Sequence, residues 1–286
     1  MITHILASIA LISGTITDFK RREVPHWVTM GLIAAAIATN TYISIATNSY
    51  QPILYSLIGG AVAAATGAFM HYTGQWGGAD FLLLTGLGAL FGLPLSLSPL
   101  PFFAAFMFIG IFAGAIYGML YLLILVIIKR KTVFPAIKKR LSKQPIPKIR
   151  KVAMIAIPII VLLAVLATTL LTLMLAMIVV FSYFTLILYH ATKAIEEHCF
   201  IKQISVSKLV PGDWVCEDVI TNNKTLIDSD KLITGLEEKH IKKLKEHNIK
   251  QVTVKEGIPF VPSFLLAYIL TLLLHDWLQS ALSFLL

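Results

Sequence analysis

Asp18 and Asp80 are the residues of this sequence best placed to do chemistry. Of its 15 acidic residues, 11 fall between Ala191 and Glu256 and one more is Asp276. Only Asp18, Glu23 and Asp80 remain in the first 190 residues. Such depletion is expected where lipid is the solvent, because an ionised carboxylate is costly to bury. Asp18 closes the first apolar run and Asp80 opens the fourth, with two complete runs between them. An even number of crossings returns the chain to its starting side, so both carboxylates belong to one membrane face. Neighbouring carboxyls resist double ionisation and hold one proton between them over a working pH range. The ionised member can then take a proton from water while the protonated member polarises a peptide carbonyl. This chemistry needs no serine, cysteine or metal. It suits a chain with no GxSxG elbow, no CxxC and no His pair at ligand spacing, and no cofactor or metal is expected.

Each of these residues also has a structural use. Asp80 follows Gly77 and Gly78 at the start of a run, where an aspartate caps a helix well. Asp18 precedes Lys20, Arg21 and Arg22 and can serve as a headgroup-level residue with ion-pair partners. Glu23 lies further into the same charged loop, where solvation is its simplest state. Gly74, Gly77 and Gly78 permit close backbone approach before Asp80, whether to hold an extended substrate or to make a tight turn. Gly110, Gly114 and Gly118 repeat at i+4, the pattern of close helix packing. Gly86 and Gly88 fall inside an apolar run, the wrong setting for a phosphate loop.

The chain is 57% hydrophobic and 14% charged, against about 25% charged in soluble domains. Its first apolar run, Met1 to Thr17, carries its cations after the run instead of before it, unlike a cleaved leader. Those cations place its second end in the cytoplasm and the N-terminus outside. Runs follow at 26–47, 53–73, 81–97 and 102–128, each near the ~20 residues that cross a bilayer. Residues 1–128 thus form a five-helix core, followed by a basic cytoplasmic loop at 129–151 with ten cations. Val152 to His190 is uncharged and, as one helix, would extend ~58 Å, so it is read as a hairpin turning near Thr168–Thr169. Residues 191–256 have soluble composition: SVSKLVPGDWVCEDVI and QVTV pattern as strands, GLEEKHIKKLKEHN as an amphipathic helix. Cys199 and Cys216 fall there as free thiols. Residues 257–286 return to the membrane as a C-terminal helix. The expected fold is an all-α polytopic membrane protein of about eight transmembrane helices with a small α+β cytoplasmic insert. Its net charge of +9 is a topology signal beside lipid headgroups, with no nucleic-acid-binding patch.

The motifs Asp18-Phe-Lys-Arg-Arg-Glu-Val-Pro25 and Gly77-Gly-Ala-Asp80 resemble the two catalytic motifs of type IV prepilin peptidases and archaeal preflagellin peptidases, the GxGD membrane aspartic proteases. The likeness is best over about the first 130 residues, and Glu256-Gly-Ile-Pro-Phe-Val-Pro262 is similar to the C-terminal part of archaeal members. Ala79 stands at the second glycine of strict GxGD. The four-cysteine cytoplasmic domain of many bacterial members is missing, so the resemblance implies a peptidase without the companion N-methyltransferase activity. It implies Asp18 and Asp80 as the catalytic pair with Gly77 and Gly78 in support. It implies prepilin-like or preflagellin-like substrates with a short basic leader, cut at the cytoplasmic face.

Other classes remain comparable on residues alone. A transporter or ion pathway using Asp18 and Asp80 predicts polar groups near the bilayer midplane and a repeated half, neither evident here. A noncatalytic membrane scaffold would tolerate loss of both aspartates. A protease of the presenilin or signal-peptide-peptidase type places its first aspartate in a YD context, which Thr17-Asp18 does not match.

Overall fold

The computed structural model describes all residues except 97–98, 144, 168–169, 222–223, 230–231, 233–234 and 286. Among the described residues, seven helices are long and apolar enough to cross a membrane: α1 (Ile2–Arg21), α2 (His26–Ala46), α3 (Gln51–Tyr72), α5 (Phe102–Ile128), α7 (Ile146–Ala167), α8 (Leu170–Cys199) and α10 (Val261–Leu285). The eighth apolar helix, α4 (Gly78–Phe91), has 14 residues and rises only ~21 Å. The fourth run was expected over 81–97, but Gly92 at φ 69° ends the helix early. The chain is an all-α polytopic membrane protein with a small α+β insert, and it divides into two compact units: Met1–Tyr121 with Gln203–Leu286, and Leu122–Lys202.

In the first unit, α4 is the packing centre. Leu83, Leu84, Leu87 and Leu90 are fully buried, among neighbours that include Leu11, Leu32 and Ala63. Small residues make this density possible. A Cβ on Gly59 would stand 2.2 Å from the Gly88 carbonyl oxygen, and one on Gly88 would stand 2.4 Å from that of Gly59. Thus α3 and α4 cross backbone to backbone, in the manner of membrane helix pairs. The end of α4 is pinned by polar groups: the Asn40 amide donates to the carbonyls of Ala89 (3.1 Å) and Leu90 (3.2 Å), and Ser56 Oγ donates to Ala89 O (2.6 Å). These bonds satisfy last-turn carbonyls that have no helical partner. Along α5, Gly110 and Gly114 face Ala267 and Phe260, whereas Gly118 faces open space.

The insert keeps its expected mixed character. Strands β1 (Ile201–Ser205), β2 (Trp214–Val215) and β5 (Gln251–Lys255) form one sheet in the order β1-β5-β2, and β3 (Val219–Thr221) pairs with β4 (Lys224–Ile227). Helix α9 (Glu238–Glu246) presents Ile241 and Leu244 to a core with Val206, Val215, Leu226, Leu236 and Val254. Pro211 and Gly212 (φ 98°) turn the chain into β2.

In the second unit the expected basic loop at 129–151 is mostly helical: α6 (Arg130–Leu141) and the start of α7 occupy it. Lysine, arginine and leucine are good helix formers, so cationic composition does not make a loop. Helix α8 runs nine residues past His190 to Cys199, so soluble composition begins inside a helix. Arg140 pairs with Glu197, and Lys129 Nζ donates to the His198 and Cys199 carbonyls at the α8 terminus. Helices α7 and α8 expose almost all their apolar side chains, as lipid-facing helices do. The expected turn at Thr168–Thr169 lies outside the described residues.

Candidate active site

Asp18 stands in the last turn of α1, where the helix ends at Arg22 in the left-handed region (φ 57°). Its side chain points inward and is 6% exposed. The partner is a backbone amide, not a cation: Val261 N–H, at the start of α10, donates to Asp18 Oδ2 at 3.0 Å. The backbone of Phe260 also approaches the carboxylate. A buried carboxylate facing the free amides of a helix start is satisfied by their donors and by the helix dipole. Arg22 turns away, donating to the Gly257 carbonyl (2.9 Å) and to Tyr121 Oη (2.7 Å). The guanidinium thereby ties α1 to the segment that delivers Val261 and to α5.

Asp80 is the third residue of α4 and partly exposed. Its Oδ2 accepts the Gly77 N–H at 3.0 Å. This is half of a capping box, with Gly77 in extended conformation (φ −70°, ψ 160°) as the cap residue. The capping reading of Asp80 therefore describes a real contact. The loop before it is tightly organised. Gly74 adopts φ 72°, Gly74 N–H donates to His71 O (2.9 Å), and Gln75 and Trp76 N–H both donate to Met70 O. His71 Nδ1 lies 3.1 Å from the Trp76 carbonyl oxygen. Gly78 stands beside the His71 ring.

These two motifs meet. Asp18 is close enough to Asp80 for their charges to act on one another. Trp76, from the loop before Asp80, packs its ring on Phe260 (5.2 Å) and Phe264 (5.3 Å), at the helix start that holds Asp18. The packing brings Asp18, Asp80, Gly77 and Gly78 to one end of the first unit. Glu23, the third carboxylate, is exposed beside this site. Its charge and that of Glu256 fall on Asp213 of the insert. Burial pushes the Asp213 carboxyl above its ordinary range, those two charges push the same way, and the Val210 N–H it accepts opposes them.

Trp76 and Tyr121 were not singled out from sequence, Phe260 and Val261 appeared there only within the Glu256–Pro262 motif, and Arg22 only as an ion-pair partner for Asp18. Only Pro259 and Pro262 around Phe260 and Val261 signalled a helix start there. An aromatic in a polar loop, such as Trp76, gives no sign of its partner.

Residues 5–119, which run from α1 into α5 and hold both carboxylates, match one family model throughout. That model describes the type IV leader peptidase family, to which these residues are similar. Over 90 residues the chain is 32% identical to the preflagellin peptidase of Methanococcus voltae, 33% to that of Methanocaldococcus jannaschii and 31% to that of Methanococcus maripaludis. Each alignment covers 32% of this chain and 38–39% of the relative. The chain thus spans about two fifths of the length of the curated relatives it matches. No solved structure matches it. The matched segment ends before α6, and the insert lies beyond it.

Proposed function

We propose that this chain is a membrane aspartic endopeptidase that removes the short basic leader from prepilin-like or preflagellin-like precursors. One observation carries the reading: the loop that leads into Asp80 packs through Trp76 on Phe260 (5.2 Å), beside the Val261 amide that holds Asp18, so α1 and α4 bring both carboxylates to one end of a packed bundle. The leader peptidase family of residues 5–119 supports the reaction class, and the preflagellin peptidases it resembles support the substrate class. The dyad holds one proton. Its ionised member takes a proton from water as the water attacks the scissile carbonyl, and its protonated member donates to the carbonyl oxygen. Lys20, Arg21 and Arg22, next to Asp18, favour the cytoplasmic side for this end and the outside for the N-terminus. The apolar helix of a substrate would share the bilayer with the enzyme, leaving its leader at the headgroup level.

Because each aspartate also accepts a backbone amide, a scaffold role for both is the second reading. Asparagine separates the two, since its carbonyl oxygen still accepts that bond but cannot activate water. The test is cleavage of a co-expressed model prepilin by wild type, Asp18→Asn and Asp80→Asn, with membrane insertion followed in parallel. The proposal expects normal insertion and uncut precursor in each variant. Wild-type cutting by both would leave only the scaffold.

A further inference from the structure

The insert, which lies outside the matched family segment, touches the loop that positions Asp80. Trp214 of β2 lays its indole over Gly74: a Cβ on Gly74 would stand 2.9 Å from Trp214 Cη2 and 3.3 Å from Cζ3. Glycine is required twice here, for that approach and for its φ of 72°. Six residues on from Gly74 is Asp80. Within the sheet, Trp214 pairs antiparallel with Lys255, and Val215 with Val254. Strand β5 ends at Lys255, and six residues later Val261 N–H holds Asp18. Between them, the Gly257 carbonyl accepts the Arg22 guanidinium. One short antiparallel ladder therefore joins the support of one carboxylate to the support of the other. The ladder is itself anchored, because Val215 and Val254 are core residues of the insert and Cys216 N–H donates to Thr253 O (3.0 Å).

We infer that the β2–β5 ladder is a bracket that sets the spacing of Asp18 and Asp80, with Trp214 as its positioning residue on the Asp80 loop. The catalytic part of this inference rests on the proposed peptidase reading. The physical part, that Trp214 immobilises residues 73–80, does not. On the membrane side, Trp76 and Phe260 already clasp the two motifs. Trp214 adds a second contact to the same loop at Gly74, so the turn holding Gly77 and Asp80 is tied down through Trp76 and through Gly74. The insert thus serves the dyad without contributing a group that touches substrate. A misplacement of about 1 Å at a reacting pair costs about 100-fold in rate, which is reason enough for such a brace.

The experiment uses the full chain in lipid nanodiscs, comparing wild type with Trp214→Ala, Trp214→Phe and Gly74→Ala. Amide hydrogen exchange of residues 73–80 is measured beside cleavage kinetics on a model prepilin. The bracket predicts that Trp214→Ala speeds exchange in this loop by about tenfold while α3 and α4 stay protected. It predicts a fall in kcat of about 10- to 100-fold with KM held within about twofold. Trp214→Phe, which keeps an aromatic face on Gly74, restores most of both. Gly74→Ala disturbs the same contact from the other side with the insert untouched, and gives the same signature even if Trp214→Ala loosens the insert. Wild-type exchange in the loop of both Trp214→Ala and Gly74→Ala overturns the bracket, as does faster exchange with unchanged kcat. If the wild-type chain cuts no precursor, the peptidase reading falls, and the exchange comparison alone decides whether the bracket exists.

Discussion

Asp18 and Val261 are separated by 243 positions, yet the carboxylate that ends α1 holds the first amide of α10 at 3.0 Å. The first and last helices of the first unit are joined at a buried, charged contact. One side chain thus has both a structural task and a proposed chemical one, and the two can be measured separately.

Asp18→Ala removes the acceptor and leaves the Val261 amide buried without a partner. The expected loss is about 1–3 kcal/mol of stability, seen as a lower thermal midpoint in detergent. Asp18→Asn keeps an acceptor and should lie within about 1 kcal/mol of wild type. Equal midpoints for the alanine variant and wild type would remove the structural task.

The backbone crossing of α3 and α4 leaves no room for a methyl group. Gly59→Ala and Gly88→Ala each place a carbon under 2.6 Å from the opposing helix, which forces the helices apart at a cost of about 3 kcal/mol. Because α4 carries Asp80, both variants are expected to lose cleavage along with stability. Gly118→Ala, which meets open space, serves as the control and leaves the thermal midpoint where it was.

Asn40 closes the end of α4 opposite Asp80. Asn40→Leu fits the apolar setting but strips the donors from the Ala89 and Leu90 carbonyls. Ser56 still serves Ala89, so the expected loss is about 1–2 kcal/mol. Increased proteolytic nicking after Phe91 would report the fraying directly.

The raised pKa of Asp213 gives a pH signature. Its folded form binds a proton more tightly than its unfolded form, so its contribution to stability is present in acid and is lost as pH rises through the folded-state value. Asp213→Asn keeps an acceptor for Val210 N–H and removes the charge facing Glu23 and Glu256. The variant is expected to melt about 1–3 °C above wild type at neutral pH. That gap should close below about pH 4, where Asp213 is protonated in both states. A gap that persists in acid would mean the charge is not its cause.

The membrane architecture was legible because exclusion of charge from lipid writes itself into composition, and so were the two carboxylates. Their partners were not. Nothing in the spacing of residues joins Asp18 to Val261 or Gly74 to Trp214, because those contacts depend on how separate elements pack. The helical state of 129–151 was missed because cations look alike in a loop and on a helix. The short span of α4 was hidden because apolar Leu93, Leu95 and Leu97 continue the run after Gly92 has already turned the chain.

The brevity of α4 has a consequence for the choice of membrane. A helix of 14 residues is shorter than the hydrocarbon layer of about 30 Å, and its leucines are covered by neighbouring helices instead of lipid tails. Hydrophobic mismatch acts on the elements that meet the acyl chains, by tilting or compressing them. Asp80 rides on an element with almost no such frontier. Bilayers of differing thickness should therefore tilt the outer helices while the second carboxylate keeps its height, so that turnover changes little with acyl-chain length.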